Sequence, residues 1–407
     1  MCHDAKTDRA LRAISPDEVP EGHWFNLIRR YSTSIPMYIT YGKRVHRIAN
    51  NPQVAQVYDV VGNFTRMAQP GNYLADVVPF LRMLPDILAP WRSEAGAKHR
   101  WEMELYGGLL EEEKDALNYQ GTVRDSFLNT YLRARAAAGY ATAHGNGTTT
   151  DMWMRDTMLA YTAGTILEAG SDTTATAILA FVLYMLNYPA VMKRAREEID
   201  SVVGSERMPN FDDEDNLPYV VACVQELLRC HPPIIMGIPH RADEDDDYKG
   251  YHIPKGTTVI GNLWSIHMDP VKYPDPTNFN PERFLGESMR RTGGPDAQAQ
   301  VTARYAFGFG RRFCAGKDVG EASLFIVCSR ILWGLDFFAP MDPEIGKARI
   351  PNPWDEEATW TKGFIAVPKP FSVQFSPRTE KHAEIIRLSF EELQDEWKDA
   401  GLPGDER

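Results

Sequence analysis

Apolar side chains recur at helical spacing through 151–187, the longest such stretch in the chain, and predict a core helix closed by Tyr188-Pro189. The same period predicts helices in 24–61, broken at Pro36 and at Asn51-Pro52, and in 101–138, 190–203, 218–230 and 317–335. Pro70, Pro79, Pro85 and Pro90 forbid one long helix in their stretch and predict a loop or short helices bearing Tyr73, Val78, Phe80, Leu84 and Trp91. Residues 144–150 read as a flexible link. Strand-like runs at 238–241, 248–253 and 257–263, separated by Asp, Gly and Pro turns, predict a small sheet, with further pieces at 364–367 and 371–375. Residues 263–284 read as a Pro-rich meander, 290–300 as a surface loop, and Asp212-Asp213-Glu214-Asp215 as a solvated turn. The charged stretch from Thr379, with a helical middle at 385–397, is expected as a surface appendage. The fold class is therefore mainly α with small β-sheets.

Two stretches do not fit plain core packing. The long helix contains Ala169-Gly170-Ser171-Asp172-Thr173-Thr174. A glycine there costs about 1 kcal/mol relative to alanine, and a buried carboxylate costs more. The Thr173 hydroxyl can bond back to the Ala169 carbonyl and bend the helix. The bland reading is a bend without chemistry; the functional one is a kink facing a cofactor.

The second stretch is Phe307-Gly308-Phe309-Gly310-Arg311-Arg312-Phe313-Cys314-Ala315-Gly316. Gly308, Gly310 and Gly316 allow turns and close approach to a flat object. Cys314 sits just before a helix N-terminus, where free N–H groups and neighbouring arginines favour a thiolate. Such a cysteine is a nucleophile or a metal ligand, unless it is simply a buried thiol in a Gly-rich turn. Phenylalanines alternating with glycines favour the ligand, because they suit packing on a hydrophobic disc. The arginines suit carboxylates at its edge. Haem has both features and takes a cysteine thiolate as axial ligand.

Composition narrows the class. A chain of 407 residues, 43% hydrophobic and 25% charged, is an ordinary globular composition large enough for one large domain or two fused ones. The net charge of −12 argues against nucleic-acid binding. Arg304, Arg311, Arg312 and Lys317 nevertheless cluster around Cys314, a basic face suited to an acidic partner. Five cysteines without zinc spacing fit a reducing compartment. The longest pure apolar run, 177–186, is too short to span a bilayer.

The ten-residue loop resembles the haem-binding loop of the cytochrome P-450 family, F-x-x-G-x-R-x-C-x-G, with Phe307, Gly310, Arg312, Cys314 and Gly316 at its fixed positions. Ala169 to Thr174 resembles the family's A/G-G-x-D/E-T-T/S signature. Glu226 and Arg229 resemble its E-x-x-R pair, and Pro281-Glu282-Arg283-Phe284 its P-E-R-F element. The resemblance covers about 15–378 and is closest to fungal microsomal-type members used in secondary metabolism. Residues 28–44 look like the family's D and E helices, which implies a P-450 fold lacking its N-terminal portion. On that mapping 1–378 is the catalytic domain, incomplete at its N-terminus, and 379–407 a charged C-terminal extension.

The resemblance implies a haem-thiolate monooxygenase that inserts one oxygen atom from O2 into a small apolar organic substrate. It implies haem b on Cys314, with Phe307, Gly308, Arg312 and Gly316 in the binding loop and His240 on a propionate. Asp172 and Thr173 would help deliver protons during oxygen activation. Glu226, Arg229 and Arg283 would form a structural triad, and 70–91 a lid. Electrons would come from NADPH through a P-450 reductase docked near Arg311 and Lys317, at the endoplasmic reticulum membrane surface. Two rival readings remain: a haem-thiolate isomerase, dehydratase or peroxide-user, and a truncated haem-binding protein without monooxygenase activity.

Overall fold

The computed structural model describes residues 23–45, 52–69, 71–119, 125–285, 302–342 and 346–399. The expected surface loop at 290–300 lies outside them. Packing separates two compact units, Trp24–Ala175 with the chain from Phe390, and Thr176–Ser389.

The first unit holds α1 (His23–Tyr41), α2 (Pro52–Met67), α3 (Pro90–Tyr119), α4 (Phe127–Ala137) and the first part of α5 (Asp156–Asn187). Its core joins Tyr41, Val57, Val60, Tyr106, Leu109, Leu128, Leu159 and Leu167. Pro36 does not break α1, contrary to expectation. The ring packs against Gly170 of α5, where a Cβ would stand 3.1 Å from the proline carbons. Gly164, six residues earlier on α5, likewise leaves room for the ring of Tyr106. The two glycines that weaken α5 as an isolated helix therefore admit neighbours that hold it in the core.

The helix expected over 101–138 is two helices. The first starts at Pro90, and the second has its own N-cap, Ser126 Oγ accepting the Asn129 N–H at 3.2 Å. Short helical turns at Leu74–Val77, Pro79–Met83 and Asp86–Leu88 match the expectation for the proline-rich stretch. Helix α5 begins at Asp156, whose carboxylate meets Arg135 and Lys114, each at 2.9 Å. Burial raises this acid, but the two cations outweigh it and hold it below its ordinary range.

The second unit holds the rest of α5, then α6 (Pro189–Val202), α7 (Pro218–Cys230), α8 (Lys317–Gly334) and the start of α9 (Glu380–Asp399). Its strands form antiparallel pairs. Strand β1 (His240–Arg241) pairs with β4 (Thr258–Val259), and β2 (Asp246–Tyr248) with β3 (Tyr251–Ile253). Strand β5 (Leu335–Phe338) pairs with β8 (Gln374–Pro377), and β6 (Met341–Asp342) with β7 (Lys347–Ala348). The late strand lies a few residues beyond its expected place, and 364–367 forms none.

The acidic turn is not merely solvated. Asp213 is buried, takes both guanidinium nitrogens of Arg207 at 2.6 and 2.7 Å, and completes a capping box with Asn210. Helix α9 is more than a surface appendage: it buries His382, Ile386, Leu393 and Trp397. By length and composition α5 could cross a membrane, but 67% of its apolar window is buried inside the fold, as in a core helix.

Candidate active site

The Cys314 loop lies in the second unit, led in by a short helix at Thr302–Phe307. Gly308 and Gly310 adopt φ of 77° and 64°, a conformation other residues enter only under strain. The turn they make brings Cys314 N–H onto the Phe307 carbonyl at 2.9 Å, while the Cys314 carbonyl accepts from Lys317 N–H at 3.4 Å. The thiol is thus carried by a loop bonded to itself at the mouth of α8. Gly316 is the N-cap position, and Phe307 packs on the first turn at Gly320.

Among the described cysteines Cys223, Cys230 and Cys328 are buried, and burial pushes their thiols up. Among the described cysteines only Cys314 is exposed. Among the described residues no three His, Cys, Asp or Glu side chains gather to hold a bare ion. A lone exposed thiol without companion ligands suits a metal that arrives with its own equatorial ring, and haem is such a group. The residues present therefore fit haem.

Phe309 ties this loop to the β1–β4 pair. Its ring stacks on His240 at 5.6 Å and lies against Gly261, where any Cβ would overlap it. Gly261→Ala must displace the ring, so we expect a loss of about 1–3 kcal/mol. Thermal unfolding checks this; an unchanged midpoint would mean that the ring is not held there. Arg312 is exposed in the loop. Arg311 lies 3.6 Å from Asp243, and Lys317 is engaged by Glu321 at 2.5 Å and Asp318 at 3.2 Å. The side chain of Arg304 is outside the described residues.

The loop is backed by a buried ionic centre. Glu226 and Arg229 are fully buried on α7 and pair bidentately at 2.7 and 2.8 Å. Burial works against the Arg229 charge, and Glu226 more than restores it. Arg283 approaches Glu226 at 3.4 Å, and Asn280 N–H donates to it at 2.9 Å. Arg229 also donates to the carbonyls of His267 and Pro276, each at 2.8 Å. The His267 ring lies 6.5 Å from that of Tyr305, two residues before Phe307. The triad expected from sequence thus assembles within this unit, with backbone acceptors that the sequence did not reveal.

Asp172 and Thr173 lie on α5 within the first unit. Thr173 Oγ1 donates to the Ala169 carbonyl at 2.6 Å, as expected, and Ser171 Oγ does the same to Leu167. Asp172 is 6% exposed, and burial raises its carboxyl against the pull of the Arg29 guanidinium. One turn earlier stands Glu168, which the sequence reading missed. Burial, then the charge of Glu102, pushes its carboxyl up to about 7. The available signal was a carboxylate inside an apolar run, four residues before another.

A sequence profile described as Cytochrome P-450 matches residues 11–365. Cytochrome P-450 monooxygenase 69 of Postia placenta is 53% identical over 394 residues, covering 96% of this chain and 69% of that protein. Cytochrome P-450 monooxygenase verL of Clonostachys rogersoniana is 36% identical over 377 residues, covering 91% and 65%. A zebrafish cytochrome P-450 structure with abiraterone superposes with a TM-score of 0.61 at 23% identity, over 87% of this chain and 71% of that one, which shows likeness of fold.

Proposed function

Because the chain belongs to the cytochrome P-450 family, we propose that Cys314 is the cysteine whose thiolate holds its haem iron. The protein is a haem-thiolate monooxygenase. One atom of O2 enters an apolar organic substrate and the other leaves as water, which consumes two electrons and two protons. The observation that carries the assignment is the single exposed thiol among the described cysteines, on a loop closed by its own backbone bonds. Bound haem supplies the oxygen activation, and a thiolate ligand favours O–O cleavage.

The remaining roles belong to this chain's side chains. Phe307, Gly308 and Gly316 shape the loop against the flat face of the ring. Arg312 and His240 serve its carboxylate edge. Asp172, whose carboxyl burial raises, gives the proton that the reaction draws on, and the Thr173 hydroxyl hands it on. Residues 1–378 form the catalytic domain, and 379–407 extend it through α9. The 71–89 stretch covers the substrate and rests on the endoplasmic reticulum membrane; Leu74, Phe80, Met83 and Ile87 expose most of their apolar surface there. The substrate belongs to secondary metabolism.

Electrons come from NADPH through a reductase that docks at the Cys314 loop. Arg311 is an exposed charge offered to it, whereas Lys317 is largely committed to Glu321. With a fungal P-450 reductase present, NADPH is consumed, and Arg311→Glu slows first-electron transfer at low salt with the effect fading at high salt. Turnover driven by peroxide alone and indifferent to reductase would instead favour a peroxide-using enzyme.

A further inference from the structure

Helix α5 carries three side chains on one face, Tyr161, Glu168 and Asp172, at spacings of seven and four residues. Helix α3 meets Tyr161 with His99 and Glu102. Tyr161 O–H donates to Glu102 Oε2 at 2.9 Å, and His99 Nδ1 stands 2.5 Å from the same hydroxyl with the two rings stacked. His99 is exposed, Glu102 and Tyr161 are half-buried, and Asp172 is buried. His99, Tyr161 and Glu102 are thus hydrogen-bonded in a row that starts at solvent, and Glu168 and Asp172 follow along the same face of α5 toward its apolar middle.

We infer that Glu168 relays protons to Asp172, drawn from solvent at His99 through Tyr161 and Glu102. The inference rests on the reading of Asp172 as the proton donor of the reaction. Every transfer balances. His99 takes a proton from solvent at Nε2 as its Nδ1–H passes to the Tyr161 oxygen and the Tyr161 proton passes to Glu102. Glu102 passes the proton to Glu168, whose carboxyl is raised by burial and then by the charge of Glu102. Glu168 passes it to Asp172, and tautomer exchange with solvent resets His99.

The electrostatics suit this task. Glu168 titrates at about 7, raised by burial and then by Glu102, so it is filled and emptied near neutrality. Tyr41 of α1 also couples to Glu168 and to Glu113, and its buried hydroxyl has no hydrogen-bond partner among the described residues. Facing Asp172 are Arg29 of α1 and Tyr58 of α2. A carboxyl with a raised value is protonated below it and empties as pH climbs through it. The relay therefore works on the acid side and fails on the basic side.

The test uses the haem-loaded enzyme with reductase and no added substrate, following NADPH oxidation in H2O and D2O across neutral pH. Carboxyl infrared difference spectra of the same protein are recorded alongside. Wild type slows as pH rises through about 7 and shows a solvent isotope effect. Glu168→Gln is about tenfold slower below that pH, loses the step, and loses one carboxyl that titrates there. Tyr161→Phe loses the rate but keeps that infrared carboxyl, and it decides the matter if Glu168→Gln does not fold. If these variants keep the wild-type profile while Asp172→Asn is slow, the relay is overturned and the Asp172 reading stands. If Asp172→Asn itself keeps rate and isotope effect, both are overturned.

Discussion

Arg229→Ala yields a protein that loses about 3–5 kcal/mol and fails to retain haem. The magnitude follows from what is left behind. Glu226 has no exposure, and Arg229 supplies both of its bidentate bonds. Without the guanidinium a carboxylate stays buried with only Arg283 at 3.4 Å and one backbone N–H. The carbonyls of His267 and Pro276 lose their donor as well. His267 lies beside Tyr305, in the short helix that leads into the Cys314 loop, so the damage reaches the thiol rather than remaining local. Arg229→Lys is only a partial rescue, since one ammonium cannot reproduce the fork. Chemical unfolding and haem content of the purified variants check this. An Arg229→Ala protein of normal stability would mean that the pair is decorative.

Asp172→Asn slows turnover by about a hundredfold while the fold is kept. The amide matches the carboxyl in size and removes the desolvation cost of a group that is 6% exposed, so stability is equal or better. What is lost is the capacity to give up and regain a proton. Thr173→Ala behaves differently. It removes the hydroxyl bonded to Ala169 without touching the acid, so NADPH is still consumed but more of it ends as peroxide. Product formed per NADPH separates the two variants. Unchanged turnover by Asp172→Asn would assign the carboxyl a purely structural role.

Local signals explain what the sequence made legible. Helix α7 has the bounds expected from Pro218 at its first position and His231-Pro232-Pro233 after its last. The Cys314 loop was readable because its glycines, arginines and thiol are contiguous. Pro36 was misjudged because its ring packs on Gly170, a contact that no local window contains. The acidic turn was misjudged although Arg207 lay close by in sequence; composition alone does not tell a capped, buried Asp213 from a solvated one. The backbone acceptors of Arg229 come from a loop with no periodic pattern, so only the folded chain reveals them. Strand β8 was displaced because two-residue to four-residue pairings leave hardly any alternation to read.

The most direct measurement is the difference spectrum of the dithionite-reduced protein on adding carbon monoxide. Wild type is expected to give the strongly red-shifted band of thiolate-ligated haem, Cys314→Ser to lose it, and Cys223→Ser, Cys230→Ser and Cys328→Ser to keep it. The same band persisting in Cys314→Ser would contradict the account, because the iron would then be held by some other residue.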